Sequence, residues 1–124
     1  MRERPRKSAL VTGSARGIGR ALALALAEDG YDLAVHYRSS RADAEATAAE
    51  VRARGAQALV LQADVTRDAA AVALVQAAHE GFGRLDVLIN NVGDYHHGPL
   101  EDLSFETWRA MLDSNLNATF YTCQ

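Results

Sequence analysis

Two kinds of apolar pattern alternate along this chain. Short apolar runs end in polar residues at Ser8 to Thr12, Asp32 to Tyr37, Ala58 to Gln62 and Leu85 to Asn90. Runs of that length, rich in Val, Leu, Ile and Tyr, predict strands. Between them lie longer segments with helical spacing. From Gly17 to Asp29, Ile18, Leu22 and Leu26 recur every four residues, and Gly30 stands where a helix stops. Arg41 to Arg54 is an Ala-rich helix with Ser39 and Ser40 at its N-cap side and Gly55 at its end. Asp68 to Phe82 places Val72, Val75 and Ala78 on one face, with Gly81 and Gly83 about its end. Residues 91–103 read as a loop with Gly93, Gly98 and Pro99, and Ser104 caps a last helix that continues to Gln124.

Strands separated by helices of this length cannot form hairpins. They predict a parallel sheet with right-handed crossovers. In such a sheet ligands bind beyond the carboxyl ends of the strands, at the switch in strand order. The polar motifs fall at those ends: Thr12-Gly13 after the first strand, His36 to Ser39 after the second, Asp64-Val65-Thr66 after the third, and Asn90 to Gly93 after the fourth.

Composition narrows the classes. The 124 residues are 48% hydrophobic and 23% charged, which suits one domain with a core. Alanine supplies about a fifth of the chain, twice the usual share, and favours helices packed closely on a sheet. A net charge of -3 argues against nucleic acid as a partner. The basic start, Arg2 to Lys7, lacks the apolar run of a signal peptide and reads as a solvated leader over residues 1–7. No stretch is long enough to span a membrane. The lone Cys123 cannot form an internal disulfide and fits a reducing cytoplasm.

The stretch Thr12-Gly13-Ser14-Ala15-Arg16-Gly17-Ile18-Gly19 joins the first strand to the first helix. A glycine-rich turn at a helix N-terminus suits an anion: glycines admit close backbone approach, and the free N–H groups and helix dipole hold negative charge. The spacing T-G-x-x-x-G-I-G differs from G-x-G-x-x-G. A bland glycine-rich turn is the competing reading. About twenty residues on, Tyr37-Arg38-Ser39-Ser40 occupies the position where dinucleotide folds select their cofactor. No acid is present there to bond ribose hydroxyls. Arg38 and the serines, with Arg16, are suited to a 2′-phosphate, which favours NADP(H) over NAD(H); the alternative for Arg38 is a solvated loop charge. Asp64 either caps a turn or accepts from an adenine amino group, and its chemistry favours the turn. Asn90 and Asn91 can knit neighbouring backbones, and Gly93 admits close approach of a ligand. Tyr95-His96-His97 is a poor metal site, since adjacent histidines point apart and no third ligand stands at a usable spacing. Trp108, Met111 and Leu112 read as packing. Asn115 sits mid-helix among Leu112, Leu116 and Phe120, where a poor helix former suggests a polar task.

Together these segments resemble the N-terminal half of the short-chain dehydrogenases/reductases, in particular the 3-oxoacyl-carrier-protein reductase-like group. The glycine segment, Asp64-Val65-Thr66, Asn90-Asn91-Val92-Gly93 and Asn115-Leu116-Asn117-Ala118-Thr119-Phe120 carry the resemblance, in order, over nearly the whole chain. It implies an incomplete Rossmann-type α/β fold, a doubly wound sheet of four strands in the order 3-2-1-4 with about four helices. It implies that Gly13, Ser14, Arg16, Gly17, Ile18 and Gly19 line the pyrophosphate and ribose. Asp64 and Val65 would hold adenine, while Asn91 and Gly93 follow the cofactor toward nicotinamide. Asn115 matches an asparagine whose helix distortion supports a proton relay. Val92 departs from the usual alanine.

The family's chemistry also uses a serine and a Tyr-x-x-x-Lys pair, in which lysine lowers the tyrosine pKa. The only lysine here is Lys7. The chain therefore reads as the cofactor-binding part of an NAD(P)-dependent oxidoreductase of carbonyl or alcohol substrates, inactive alone. The alternatives are a non-catalytic dinucleotide-binding module, a subunit of a split enzyme with a C-terminal partner chain, or a remnant. The resemblance implies a homo-oligomer when complete.

Overall fold

The computed structural model describes residues 5–124, so most of the basic leader lies outside the described residues. Four strands alternate with helices: β1 (Ser8–Val11), α1 (Gly17–Glu28), β2 (Asp32–Tyr37), α2 (Arg41–Ala53), β3 (Ala58–Gln62), α3 (Asp68–Phe82) and β4 (Val87–Ile89). A 3₁₀ turn over Leu100–Asp102 precedes α4 (Phe105–Leu112), a π-helical stretch at Asp113–Asn117 and α5 (Ala118–Cys123). The strands form one parallel sheet ordered β3-β2-β1-β4. This is the doubly wound order that the resemblance implies, with β4 at an edge.

The two faces follow from the alternation of side chains along each strand. Ala9, Val11, Leu33 and Val35 point to the side covered by α1 and α2, where they meet Ala23, Ala27, Ala44, Ala48 and Val51. Leu10 and Ala34 point to the other side and meet Ala71, Leu74 and Ala78 of α3 and Ala118 of α5. Alanine faces the sheet from every one of these helices, which explains its abundance: small side chains let the helices lie close. Gly30, Gly55 and Gly83 follow α1, α2 and α3 with φ of 96°, 85° and 74°, the left-handed conformation that ends helices.

Two local expectations change and one holds. Arg6 is not merely a solvated leader residue; its Nε donates to Asp32 at 2.8 Å, and Asp32 also accepts from the Gln57 amide at 2.9 Å. Ser40 occupies the N-cap of α2 but makes no side-chain capping bond. Ser104, by contrast, accepts from the Thr107 amide at 3.1 Å and caps α4 as expected.

The last helix is also more exposed than packing residues should be. Phe105, Trp108, Leu116 and Phe120 are 82%, 53%, 62% and 59% exposed, and Leu112 is exposed beside them. A large apolar side chain left in water forgoes roughly 1.5–3 kcal/mol, against a whole-domain stability of about 5–15 kcal/mol. At the sheet edge, β4 has one neighbour, β1, and an unpaired strand edge is a template for association. In solution the chain is expected to self-associate, with the segment from α4 to α5 opening first. Sedimentation and hydrogen exchange check this. A monodisperse monomer with β4 and α5 both strongly protected is the contrary result.

Candidate cofactor site

The carboxyl ends of β1, β2, β3 and β4 carry the predicted site residues to one end of the sheet. The glycine loop starts at Thr12, the first residue beyond β1. Gly13 and Gly17 adopt φ of 66° and 64°, a conformation costly for a residue with a Cβ. A Cβ at Gly17 would meet nothing within 4 Å, so the loop is open there. Gly19 lies in the first turn of α1, pressed on the loop: a Cβ there would stand 2.2 Å from the Gly13 carbonyl oxygen and 2.6 Å from Asn91 Nδ2. Helix geometry leaves the first-turn N–H groups of α1 without partners in the helix, and the exposed Ile18 projects beside them. This cradle of open glycine backbone and helix N-terminus is chemically suited to a diphosphate.

Buried polar side chains hold the loop in shape. Thr12 Oγ1 accepts from the Asn91 amide at 2.9 Å and from the Val92 amide at 3.1 Å. Asn91 Nδ2 returns bonds to the carbonyls of Thr12 at 3.0 Å and Gly13 at 3.3 Å. Asn91 therefore joins the β1 and β4 ends, the knitting role expected of an amide. Ser14 is fully buried, and its Oγ accepts from the His36 amide at 3.0 Å; its hydroxyl serves the loop. Thr47 on α2 donates to the Ala15 carbonyl at 2.8 Å. His36 Nδ1 accepts from the Gly13 amide at 2.9 Å, and its Nε2 lies 2.8 Å from the Ala63 carbonyl.

The turn after β3 is a compact polar unit. Asp64 Oδ1 accepts from the Thr66 amide at 3.0 Å and the Thr66 hydroxyl at 2.6 Å, the turn-capping arrangement its chemistry favours. The Thr66 hydroxyl bond, with lesser help from the Thr66 amide and the charges of Arg38 and Arg67, holds the Asp64 carboxyl below the usual range. Asp64 Oδ2 lies 3.6 Å from Arg38 and 3.9 Å from Arg67. Beneath it, a cleft of about 220 Å³ is lined by His36, Arg38, Asp64, Val65, Gly93 and Asp94 among others. Arg38 is largely exposed at its rim and Ser39 is exposed beside it. Arg16 turns the other way, 3.8 Å from Asp43 of α2. The two arginines thus stand over different carboxylates.

Asn115 and Gly93 belong together. The last helix widens at Asp113–Asn117, where the Ala118 amide reaches the Asp113 carbonyl five residues back. Asn115 Nδ2 donates to the Asp94 carbonyl at 2.7 Å and the Met111 carbonyl at 3.0 Å. It thereby ties the distorted helix to the loop after β4. A Cβ on Gly93 would stand 2.7 Å from Asn115 Oδ1. Asn115 thus makes a close approach at Gly93.

Thr47 and Arg67 were given no site role by the sequence, while Thr12 and His36 were placed at the polar strand ends without a task of their own. The signal for Thr47 was a hydroxyl on an alanine face, and for His36 a titratable ring inside an apolar strand. Larger cavities exist, including one of about 510 Å³ lined by Val75, Gln76, His79, Glu80 and Leu85, but it lies on α3 away from these strand ends. Among the described residues, no group of three or more His, Cys, Asp or Glu side chains gathers to hold a metal.

Residues 7–124 match the short chain dehydrogenase family. The chain is 46% identical over 110 residues to an uncharacterized oxidoreductase of Methylorubrum extorquens, covering 89% of this chain and 44% of that protein. It is 42% identical over 118 residues to the 3-oxoacyl-[acyl-carrier-protein] reductase FabG of Staphylococcus aureus, covering 95% and 48%. Its fold superposes with a TM-score of 0.92 on a short chain dehydrogenase from Burkholderia cenocepacia in complex with NADP, at 41% identity, covering 98% of this chain and 50% of that one. The chain spans about half the length of the curated relatives it matches. The chain belongs to the short-chain dehydrogenase/reductase family of oxidoreductases.

Proposed function

We propose that this chain is the cofactor-binding half of an oxidoreductase that moves a hydride between a nicotinamide dinucleotide and a small carbonyl or alcohol substrate, with NADP(H) favoured over NAD(H). The observation that carries this reading is the meeting of an open glycine cradle, a cleft and a basic rim at one end of the sheet. Gly13, Arg16, Gly17, Ile18 and Gly19, with Ser14 as internal support, would hold the diphosphate and ribose. Asp64 and Val65 would take adenine, and Asn91 and Gly93 would border the path to nicotinamide. NADP is the ligand of two similar Burkholderia cenocepacia structures. Arg38 and Ser39 would meet its 2′-phosphate, because a guanidinium binds phosphate with paired, charge-assisted bonds.

When bound, the nicotinamide supplies or accepts the hydride. Asn115, fixed to the Asp94 carbonyl, would hold the backbone distortion that supports proton relay. The proton donor itself is a different matter. The 124 residues contain one lysine, Lys7, which precedes β1, so they hold no Tyr-x-x-x-Lys. The serine, tyrosine and lysine would come from further sequence or from a partner chain. The same observation favours the second reading, a dinucleotide-binding module without chemistry of its own. Both readings suit the reducing cytoplasm, with neither nucleic acid nor membrane as partner; among the described residues no helix is long and apolar enough to cross a membrane.

The 124-residue chain is expected to bind NADPH more tightly than NADH, by about tenfold or more, which corresponds to about 1.4 kcal/mol. Arg38→Asp should reverse the order by bringing a carboxylate to the ribose. Equal affinities in a direct titration would remove the basis for the preference. Purified alone, the chain should reduce no simple ketone with NADPH, since the missing acid–base group is typically worth about 10² to 10⁴ in rate. Turnover that survives rigorous purification would contradict this. Turnover that appears on adding a C-terminal partner chain would favour the enzyme over the silent module.

A further inference from the structure

His36 is the most buried titratable group among the described residues. It lies at the end of β2, 1% exposed, between the glycine loop and the turn after β3. The Ala63 carbonyl can only accept, so Nε2, 2.8 Å away, carries a hydrogen. The Gly13 amide can only donate, so Nδ1, 2.9 Å away, offers a lone pair. Both neighbours select the same neutral tautomer. The backbone of His36 reinforces the link: its N–H donates to Ser14 Oγ at 3.0 Å, and its carbonyl accepts from the Ser14 amide at 3.1 Å. One residue thus fastens Gly13, Ser14 and Ala63.

We infer that His36 is a positioning residue of the cofactor site, a neutral strut that sets the glycine loop against the adenine cleft, so that protonating its ring releases the loop and weakens dinucleotide binding in acid. This rests on the cofactor reading above. An imidazolium would present Nδ1–H to the Gly13 N–H, two donors 2.9 Å apart, and one bond would be lost. Burial pushes the ring below its ordinary value of 6.5, against the opposing pull of the Ala63 carbonyl and the Asp64 charge. The sign follows from linkage. The unfolded chain takes up this proton near pH 6.5 and the folded chain only lower, so the strut's contribution is complete above that pH and is lost as pH falls through the folded value. The charges around the ring are few. Asp64 faces it from the β3 side, paired with Arg38 and Arg67. Gly13 and Ser14 on the β1 side carry none, and Arg16 is turned to Asp43. Asp94 borders the same cleft from the β4 side.

The test uses the 124-residue chain, with nitrogen-resolved NMR of the His36 ring in the free protein and calorimetric titration of NAD⁺ from pH 8 to pH 5. NAD⁺ is the probe because the 2′-phosphate of NADP titrates near pH 6, at about the value of any phosphomonoester. The expected ring state is bare Nδ1 and protonated Nε2. The expected affinity falls with acid along a log–log slope that approaches, and does not exceed, about 1, the mark of a single proton. His36→Asn keeps an acceptor near Gly13 that cannot titrate, and should flatten this fall while retaining binding at pH 8. His36→Gln keeps instead a donor toward Ala63, and should bind several-fold more weakly at every pH. Equal acid dependence in the natural chain and His36→Asn, or an Nδ1–H tautomer in the free chain, would overturn the strut while leaving the cofactor reading in place. Normal ring chemistry without NAD⁺ or NADP⁺ binding at pH 8 would overturn the cofactor reading, and the proposed effect on binding with it.

Discussion

The hydroxyl of Thr12 is the point on which the functional end of this sheet depends. A parallel strand leaves its last amides and carbonyls facing the next loop, and buried backbone groups need partners. Thr12 Oγ1 takes two of these amides, from Asn91 and Val92, and Asn91 returns its own side-chain amide to the carbonyls of Thr12 and Gly13. The exchange fixes the end of β1 to the end of β4. With that junction set, the glycine loop has one place to go, and α1 can close on it only because Gly19 carries no side chain. Thr47 and Ser14 then brace the loop from α2 and from within. The open face of the cradle is what remains after the protein's own polar groups have been satisfied.

Much of this architecture was legible in the residues because local signals agree with one another. The apolar runs marked the strands, and glycines marked the helix ends, so β2, β3 and α3 occur where periodicity places them: Asp32–Tyr37, Ala58–Gln62 and Asp68–Phe82. The strand order came from family resemblance, since spacing alone gives parallel pairing without saying which strand lies beside which. The fourth strand, read as Leu85 to Asn90, is only Val87–Ile89; beyond it, the Asp86 carboxylate accepts from the Ser8 amide and the Asn90 side chain meets Thr122. The Asp86 amide still donates to the Ser8 carbonyl at 3.0 Å, so the contact with β1 runs a little past the regular strand.

The less legible features are those in which one residue serves another far along the chain. Gly93 also makes room for Asn115, twenty-two residues on, whose amide then bonds Asp94. The widened turn at Asp113–Asn117 follows from that pairing, since the Asn115 side chain takes the Met111 carbonyl that an ordinary helix would reserve for a backbone amide. His36 was visible as part of the polar end of the second strand, but its task was not. Its two opposed partners, one donor and one acceptor, come from loops that the sequence sets 23 and 27 positions away.

The pairing of β1 with β4 also bears on the order in which the molecule can assemble. β1 and β2 meet across a single helix, as do β2 and β3. Ala9, however, lies opposite Val87, and the Thr12 to Asn91 bonds span 79 positions. Closing so long a loop costs more chain entropy and is slower than the neighbouring pairings. A chain emerging from synthesis can form β1, β2 and β3 and pack α1 and α2 on them while the cradle is still unbraced on its β4 side. The glycine-loop end would then be the last part of the sheet to take its final shape.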